Sequence, residues 1–270
     1  MSGDRNFDDL AEHFERRIYG GLKGRVRLAV LRRELKPYLE SLHQEGLHKE
    51  GLHQECLPQA EQFRVLDAGA GLAQLAVELA AAGHRVMVND LSDKMLAEAR
   101  RRAEQQGVLE RMSWRQGPFQ ALVQEQPYDL VLCHAVLEWL AEPRAAIDAL
   151  AALVRPGGCL SLAFYNRDAQ VFRNLVRGNF KKVQSGAVHG AAGGLTPRHP
   201  LVPDEVTDWL ADSGLRVETR AGIRVFRDYV TTPMGGHLDD DAVVAMELEW
   251  SQREPFWRLG RYIHFLCRKE

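Results

Sequence analysis

Asp67, Ala68, Gly69, Ala70 and Gly71 form the run with the most evident chemistry, because glycines just behind an apolar stretch allow a tight strand-to-helix turn. Such a turn aims backbone amides and a helix N-terminus at whatever ligand lies beyond the strand. A dinucleotide turn would carry another glycine three residues on, but position 74 is Gln, and an acid stands at 67, two places before the first glycine. Asp90 ends the next apolar run, about twenty residues on, where a ribose-binding acid belongs. A carboxylate only accepts hydrogen bonds and so suits a vicinal diol. Together the turn and the acid describe a site for a nucleoside-bearing ligand.

The elements that must position these residues follow from periodicity. From residue 63 onward apolar strand runs alternate with helical ones, predicting a parallel sheet covered on both faces. FRVLDAG, HRVMVND, MSWRQG, YDLVLCHAV and CLSLAFYN read as five strands. LAQLAVELAAAG, DKMLAEARRRAEQQG and PRAAIDALAALVRPGG read as the helices between them, the last opening on proline at a first turn. A helix and then a Gly- and Ala-rich loop are expected over 167–201, and VPDEVTDWLADSG is a further helix. LRVETRAGIRVFRDYV and RLGRYIHFLCRK complete seven strands, with a helix near 239–253 between them.

Ahead of this core, residues 7–20 and 25–42 carry apolar positions at three- and four-residue spacing, predicting two helices separated by Gly20, Gly21 and Gly24. His43 to Leu57 is three tandem pentads, HQEGL, HKEGL and HQECL. A five-residue step on a helix turns a side chain by about 140°, so His43, His48 and His53 would not share a face to bind metal. The expected organisation is therefore N-terminal helices over 1–42, a linker over 43–60 and the α/β domain over 61–270, with no metal.

Composition sets the remaining bounds. The 270 residues can bury a full core without metal or disulfide staples. Cys56, Cys133, Cys159 and Cys267 lie far apart with no zinc spacing, which suits reduced thiols in a cytoplasmic protein. The polar N-terminus and the lack of a long apolar run predict neither export nor a membrane anchor. The net charge is only −2 but is unevenly spread. Residues 16–36 hold Arg16, Arg17, Lys23, Arg25, Arg27, Arg32, Arg33 and Lys36 against Glu34. Residues 165–200 hold Arg167, Arg173, Arg177, Lys181, Lys182 and Arg198 against Asp168. Two such segments either face an anionic partner such as nucleic acid or are solvated helix faces.

The sequence as a whole resembles the bacterial tRNA 5-carboxymethoxyuridine methyltransferases. The resemblance rests on DRNFDD near the start, the IYG-x-x-KG-x-x-R run ending at Arg27, VLDAG, GH-x-V, HAVLEW, VRPGG, FYN, GIRVF and LGRYIH. It spans about residues 4 to 269 and is interrupted chiefly by the pentads. It implies a class I methyltransferase fold, a Rossmann-like seven-stranded α/β sheet with helices on both faces and an N-terminal helical extension. The cofactor implied is S-adenosyl-L-methionine. The substrate implied is tRNA, at the anticodon wobble uridine, whose carboxylate becomes a methyl ester.

By the same resemblance, Arg27 would bind the cofactor's carboxylate, Gly69 and Ala70 would line its loop, and Asp90 would hold the ribose. Phe119 and Gln120 would sit at the adenine edge, although the family residue at 119 is small. His134 would meet the methionine portion. Tyr165 and Asn166 end the fifth strand, where open sheets place ligands, so Tyr165 is a candidate positioner and both are candidate substrate contacts. Arg224, Tyr229, Arg261, Tyr262 and His264 lie in the two late strands, with Arg224, Arg261 and Tyr262 the leading substrate candidates. A small-molecule carboxyl or amine methyltransferase, and a noncatalytic cofactor- or tRNA-binding protein, are the alternative readings.

Overall fold

The computed structural model describes residues 21–49, 62–124, 126–188, 197, 199–230 and 239–270. The expected helix over 7–20, His53, Cys56 and most of the Gly- and Ala-rich loop lie outside them. Among the described residues, helix α1 (Leu22–Lys49) leads into strand β1 (Arg64–Ala68), α2 (Gln74–Ala81), β2 (Arg85–Asp90), α3 (Asp93–Gln105), β3 (Met112–Gln116) and β4 (Tyr128–His134). Then come α4 (Pro143–Leu153), β5 (Val154–Tyr165), α5 (Arg167–Val176), α6 (Phe180–Gln184), α7 (Pro203–Asp212), β6 (Leu215–Ile223), α8 (Asp240–Trp250) and β7 (Tyr262–Lys269).

The sheet order is β3-β2-β1-β4-β5-β7-β6, with β1 to β5 parallel and β7 antiparallel to both its neighbours. Because successive side chains on a strand point to opposite faces, burial on both faces demands unbroken apolar runs. On β4, Leu130 and Leu132 pack with α1, α2 and α3 on one side. Val131 and Cys133 pack with α4 and α7 on the other. This two-layered coverage is the α/β class expected from the alternating pattern.

Three boundaries differ from expectation for physical reasons. Helix α1 does not stop near 42 but runs through Lys49, into the pentads, with Pro37 inside it. Val26, Val30, Leu31, Leu35 and Tyr38 are buried along it, and the Tyr38 hydroxyl donates to the Asp129 carbonyl at 2.7 Å, so packing outweighs the proline penalty. Strand β5 begins at Val154, earlier than expected, across the Pro156-Gly157-Gly158 turn. A Cβ on Gly158 would lie 2.9 Å from the carbonyl oxygens of both Arg155 and Asp129, so only glycine lets the chains meet there. Strand β6 ends at Ile223, not near Tyr229, because Arg224 takes φ +63° and the buried Glu247 carboxylate accepts the amides of Val225 at 2.7 Å and Arg227 at 2.9 Å. Those amides are thereby lost to the ladder.

Candidate cofactor and substrate site

The turn after β1 is braced to the end of β2. The amides of Gly69 and Ala70 both donate to the Asn89 carbonyl, at 2.9 and 3.0 Å. The Asn89 side chain donates in turn to the carbonyls of Arg115 and Gly117. Gly71 N–H donates to one Asp90 oxygen and Ser92 N–H to the other, each at 2.8 Å. The amides of 69 and 70 are therefore engaged within the fold and do not present themselves to a ligand, contrary to expectation. What the turn offers instead is room: Gly69 has φ +68°, and a Cβ there would lie 2.5 Å from a Val136 methyl. An ionised carboxylate has about four lone-pair sites, and the turn takes one on each Asp90 oxygen.

Arg27, Asp67, Gly69, Ala70, Gln74 and His134 line a cleft between α1 and this turn. A larger opening of about 730 Å³ lies at the opposite, N-terminal edge of β1 to β3, away from the carboxyl edge where open sheets bind ligands. Arg27 is only 7% exposed, held by its helix above the Tyr262 ring at 5.0 Å. Burial, with the Asp90 charge beside it, raises Asp67 to about 7, against the opposing pull of Arg27. Gln74 Oε1 is buried with no hydrogen-bond partner among the described residues.

His134 Nε2 and His264 Nε2 each lie 2.8 Å from the Ser161 hydroxyl. A single hydroxyl proton between two imidazoles requires one ring to donate through Nε2 and the other to accept. Burial first, and then the neighbouring His264 and Arg27, lower His134 well below its ordinary value, and burial takes His264 to about 4. Both rings are neutral at pH 7.

The late-strand residues gather on the other side of Tyr262. Tyr165 is 3% exposed, and its hydroxyl accepts from Gln170 Nε2 at 2.8 Å. The Arg261 guanidinium stands 5.1 Å over the Tyr165 ring and donates to Gln170 Oε1, while Arg224 stands 5.7 Å over the Tyr262 ring. Arg224 and Arg261 each approach the same Asp228 oxygen at 3.5 Å. Tyr229 donates to the Leu259 carbonyl. Asn166 is fully buried and engaged throughout: it caps α5 by accepting from the Asp168 amide and donates to the carbonyls of Arg258 and Gly260. Its position is that of a brace rather than the expected substrate contact. The Phe119 side chain is packed in the core, while Gln120 beside it is half-buried.

Several residues of the site were not singled out from the sequence. Glu138 is fully buried, and neither carboxyl oxygen has a hydrogen-bond partner among the described residues. Burial raises it to about 7, while its own amide, Arg27 and the Tyr165 amide pull the other way. The amides are close enough to act electrostatically without forming bonds of good geometry. Glu247 fixes the turn carrying Arg227 and Asp228. Among the described residues, the three non-glycine residues with positive φ, Ala73, Ala135 and Arg224, all sit around this edge of the sheet, as strained backbone does at functional sites.

The sheet order, the antiparallel β7 and the braced glycine turn at the carboxyl edge define a class I methyltransferase domain. Residues 65–158 match the methyltransferase domain family. Along its whole length the chain is 39% identical to tRNA 5-carboxymethoxyuridine methyltransferase of Escherichia coli K12, over 98% of this chain and 97% of the relative. The chain belongs to the tRNA 5-carboxymethoxyuridine methyltransferase family. Ubiquinone biosynthesis O-methyltransferase of Bordetella bronchiseptica matches at 38% but covers only 40% of the chain. Among solved structures, magnesium protoporphyrin IX methyltransferase from Synechocystis PCC 6803 with bound SAH superposes with a TM-score of 0.56, at 21% identity, over 98% of this chain and 96% of that one. An S-adenosylmethionine dependent methyltransferase from Mesorhizobium loti superposes at 0.52, with 17% identity, over 86% and 96%. Both share the fold.

Proposed function

We propose that this protein methylates the carboxylate of 5-carboxymethoxyuridine at the tRNA wobble position, using S-adenosyl-L-methionine, in the cytoplasm. The observation that carries the reading is the end-to-end match to a relative of that name, which takes in Arg27 on α1 and the terminal strand as well as the methyltransferase core.

The residues around the cleft suit the chemistry of the cofactor. Gln74 Oε1, in the lining of the cleft, is a buried acceptor without a hydrogen-bond partner among the described residues, as a group awaiting a donor would be. Arg27, a planar cation fixed over Tyr262, would take a bidentate carboxylate, Asp90 would take ribose hydroxyls, and Gln120 would reach the adenine edge. A neutral His134 leaves the methionine end free of a repelling cation. When bound, the cofactor supplies an electrophilic methyl carbon on a sulfonium.

The acceptor carboxylate ionises near pH 4 and needs no general base at pH 7. The protein's own residues have to align it and keep water away. Arg224 and Arg261 stand over the two tyrosines and share the Asp228 carboxylate, with Glu138 also near Tyr262, and Arg173 Nε is buried without a hydrogen-bond partner among the described residues. Burial first, then the charges of Arg261 and Arg177, lower Arg173 below the usual arginine value, so an anionic acceptor beside Arg261 would be favoured. Tyr165, kept neutral by burial, would serve as a positioning wall.

The test is nucleoside mass spectrometry of tRNA from cells lacking the gene, complemented by the wild-type chain. The methyl ester of the wobble nucleoside should vanish, with the free acid accumulating, and should return on complementation. An ester level unchanged by the deletion rejects the assignment.

A further inference from the structure

Helix α5 is inside out. A surface helix normally buries its apolar stripe and exposes its polar one, but here the buried side is Ala169, Gln170 and Asn174, while Phe172, Leu175 and Val176 face solvent at 37, 42 and 49% exposure. The buried polar side is fully used: Gln170 bonds to Tyr165 and Arg261, and Asn174 donates to the Gln170 carbonyl. Phe180, opening α6, is 59% exposed. Four of the seven exposed large apolar side chains among the described residues thus fall within 172–180. Leaving them in water has a cost that only a partner offsets.

The same stretch states the partner's chemistry. Residues 169–188 contain Arg173, Arg177, Lys181 and Lys182 and no acid, and none of these four forms an ion pair among the described residues. A protein or lipid surface could take the apolar side chains, but aromatic rings interleaved with unpaired cations match unstacked bases on a phosphate backbone. The patch is also continuous with the proposed substrate site, since the Phe172 ring meets the Tyr229 ring edge-on at 5.1 Å, and Tyr229 lies beside Arg261.

We propose that α5 and α6 form a docking face for the single-stranded anticodon loop, with Phe172 and Phe180 stacking on bases next to the wobble nucleotide while Arg173, Arg177, Lys181 and Lys182 neutralise phosphates. The inference rests on the tRNA reading and adds the residues that read the loop by stacking.

The experiment compares wild type, Phe172→Ala/Phe180→Ala, Phe172→Trp/Phe180→Trp and Phe172→Leu/Phe180→Leu. Binding of purified tRNA is followed by polarisation at several salt concentrations, with light scattering for oligomeric state. Both positions are exposed, so all variants should fold and bind S-adenosylmethionine as wild type does. The alanine variant should bind tRNA about ten- to a hundredfold more weakly with an unchanged salt slope. Tryptophan should restore binding, with its fluorescence quenched by RNA, and leucine should not. Wild-type binding that survives the alanine pair, or that leucine restores as well as tryptophan, overturns the stacking face alone. A dimer that the alanine pair dissociates assigns the face to a second copy and overturns it too. Wild type that binds no tRNA overturns the functional reading together with this one.

Discussion

Replacing Asp90 with asparagine separates the two duties that one carboxylate would perform. Its oxygens receive the Gly71 and Ser92 amides at 2.8 Å each, holding the glycine turn against β2. In asparagine one oxygen becomes an amide nitrogen, so one backbone N–H faces another donor and the remaining bond loses its charge. With hydrogen bonds to charged groups worth about 1.5 to 3 kcal/mol and neutral ones about 0.5 to 1.5, Asp90→Asn should destabilise the cofactor-free protein by about 2 to 4 kcal/mol. Urea unfolding measures this as a lower midpoint at constant slope. Calorimetry on the same protein measures cofactor affinity, which should fall at least about tenfold if ribose hydroxyls use the second lone pairs. A loss of stability under 0.5 kcal/mol, on the order of an ordinary surface substitution, would refute the bracing argument. Stability lost with cofactor affinity intact would leave Asp90 a brace and remove it from the ribose.

Asp67 stands raised to about 7, so it is largely protonated at pH 6 and ionised at pH 8; a cationic ligand favours the ionised form, and S-adenosylmethionine affinity should rise across that interval. Calorimetry should show the rise disappearing in Asp67→Asn, and a slope that survives the substitution would exclude Asp67 as its source. For chemistry itself, the single-turnover rate at saturating cofactor on carboxymethoxyuridine-bearing tRNA should be nearly flat between about pH 6 and 9, because the acceptor has no proton left to lose. A tenfold rise per pH unit that persists in His134→Asn would mean that the nucleophile is not a carboxylate.

The core was legible because parallel strands covered on both faces must be apolar at every position, which leaves little ambiguity in VLCH or LSLAFY. The glycine turn was legible for a similar reason, since few residues tolerate φ +68° beside a Val136 methyl. What sequence could not show is where main-chain hydrogen bonds go. A glycine turn of this pattern points its amides at a ligand, but here the acceptor for those of 69 and 70 is the carbonyl of Asn89, twenty residues away and adjacent only once β1 and β2 pair. Likewise β6 could not be seen to stop at Ile223, because the carboxylate that takes the next amides belongs to Glu247 on α8. Asn166 has the place of a strand-end ligand contact, and only its side-chain partners, all structural, reveal it as a brace.

The two basic segments make the same point about charge. By composition they are alike, yet on α1 several cations are already matched by acids, two of them by acids distant in sequence. Arg25 pairs with Asp240 and Asp241, Arg32 makes a two-pronged bond to Glu78 at 2.6 and 2.8 Å, and Arg33 holds Glu34 and the Leu248 carbonyl. Arg27 is withdrawn into the cleft. These pairs fasten the helix that carries Arg27 across the sheet, so in α1 positive charge serves position. On α5 and α6, Arg173, Arg177, Lys181 and Lys182 form no ion pair among the described residues, although Asp228 acts on Arg173 at longer range, and cations left so beside exposed aromatic rings are available to charge from outside. An RNA salt dependence in this protein should therefore trace to Arg173, Arg177, Lys181 and Lys182: charge reversal there should flatten the slope by roughly one for each phosphate no longer neutralised. Reversal at Arg32 should instead leave the slope in place, because that charge is already matched by Glu78.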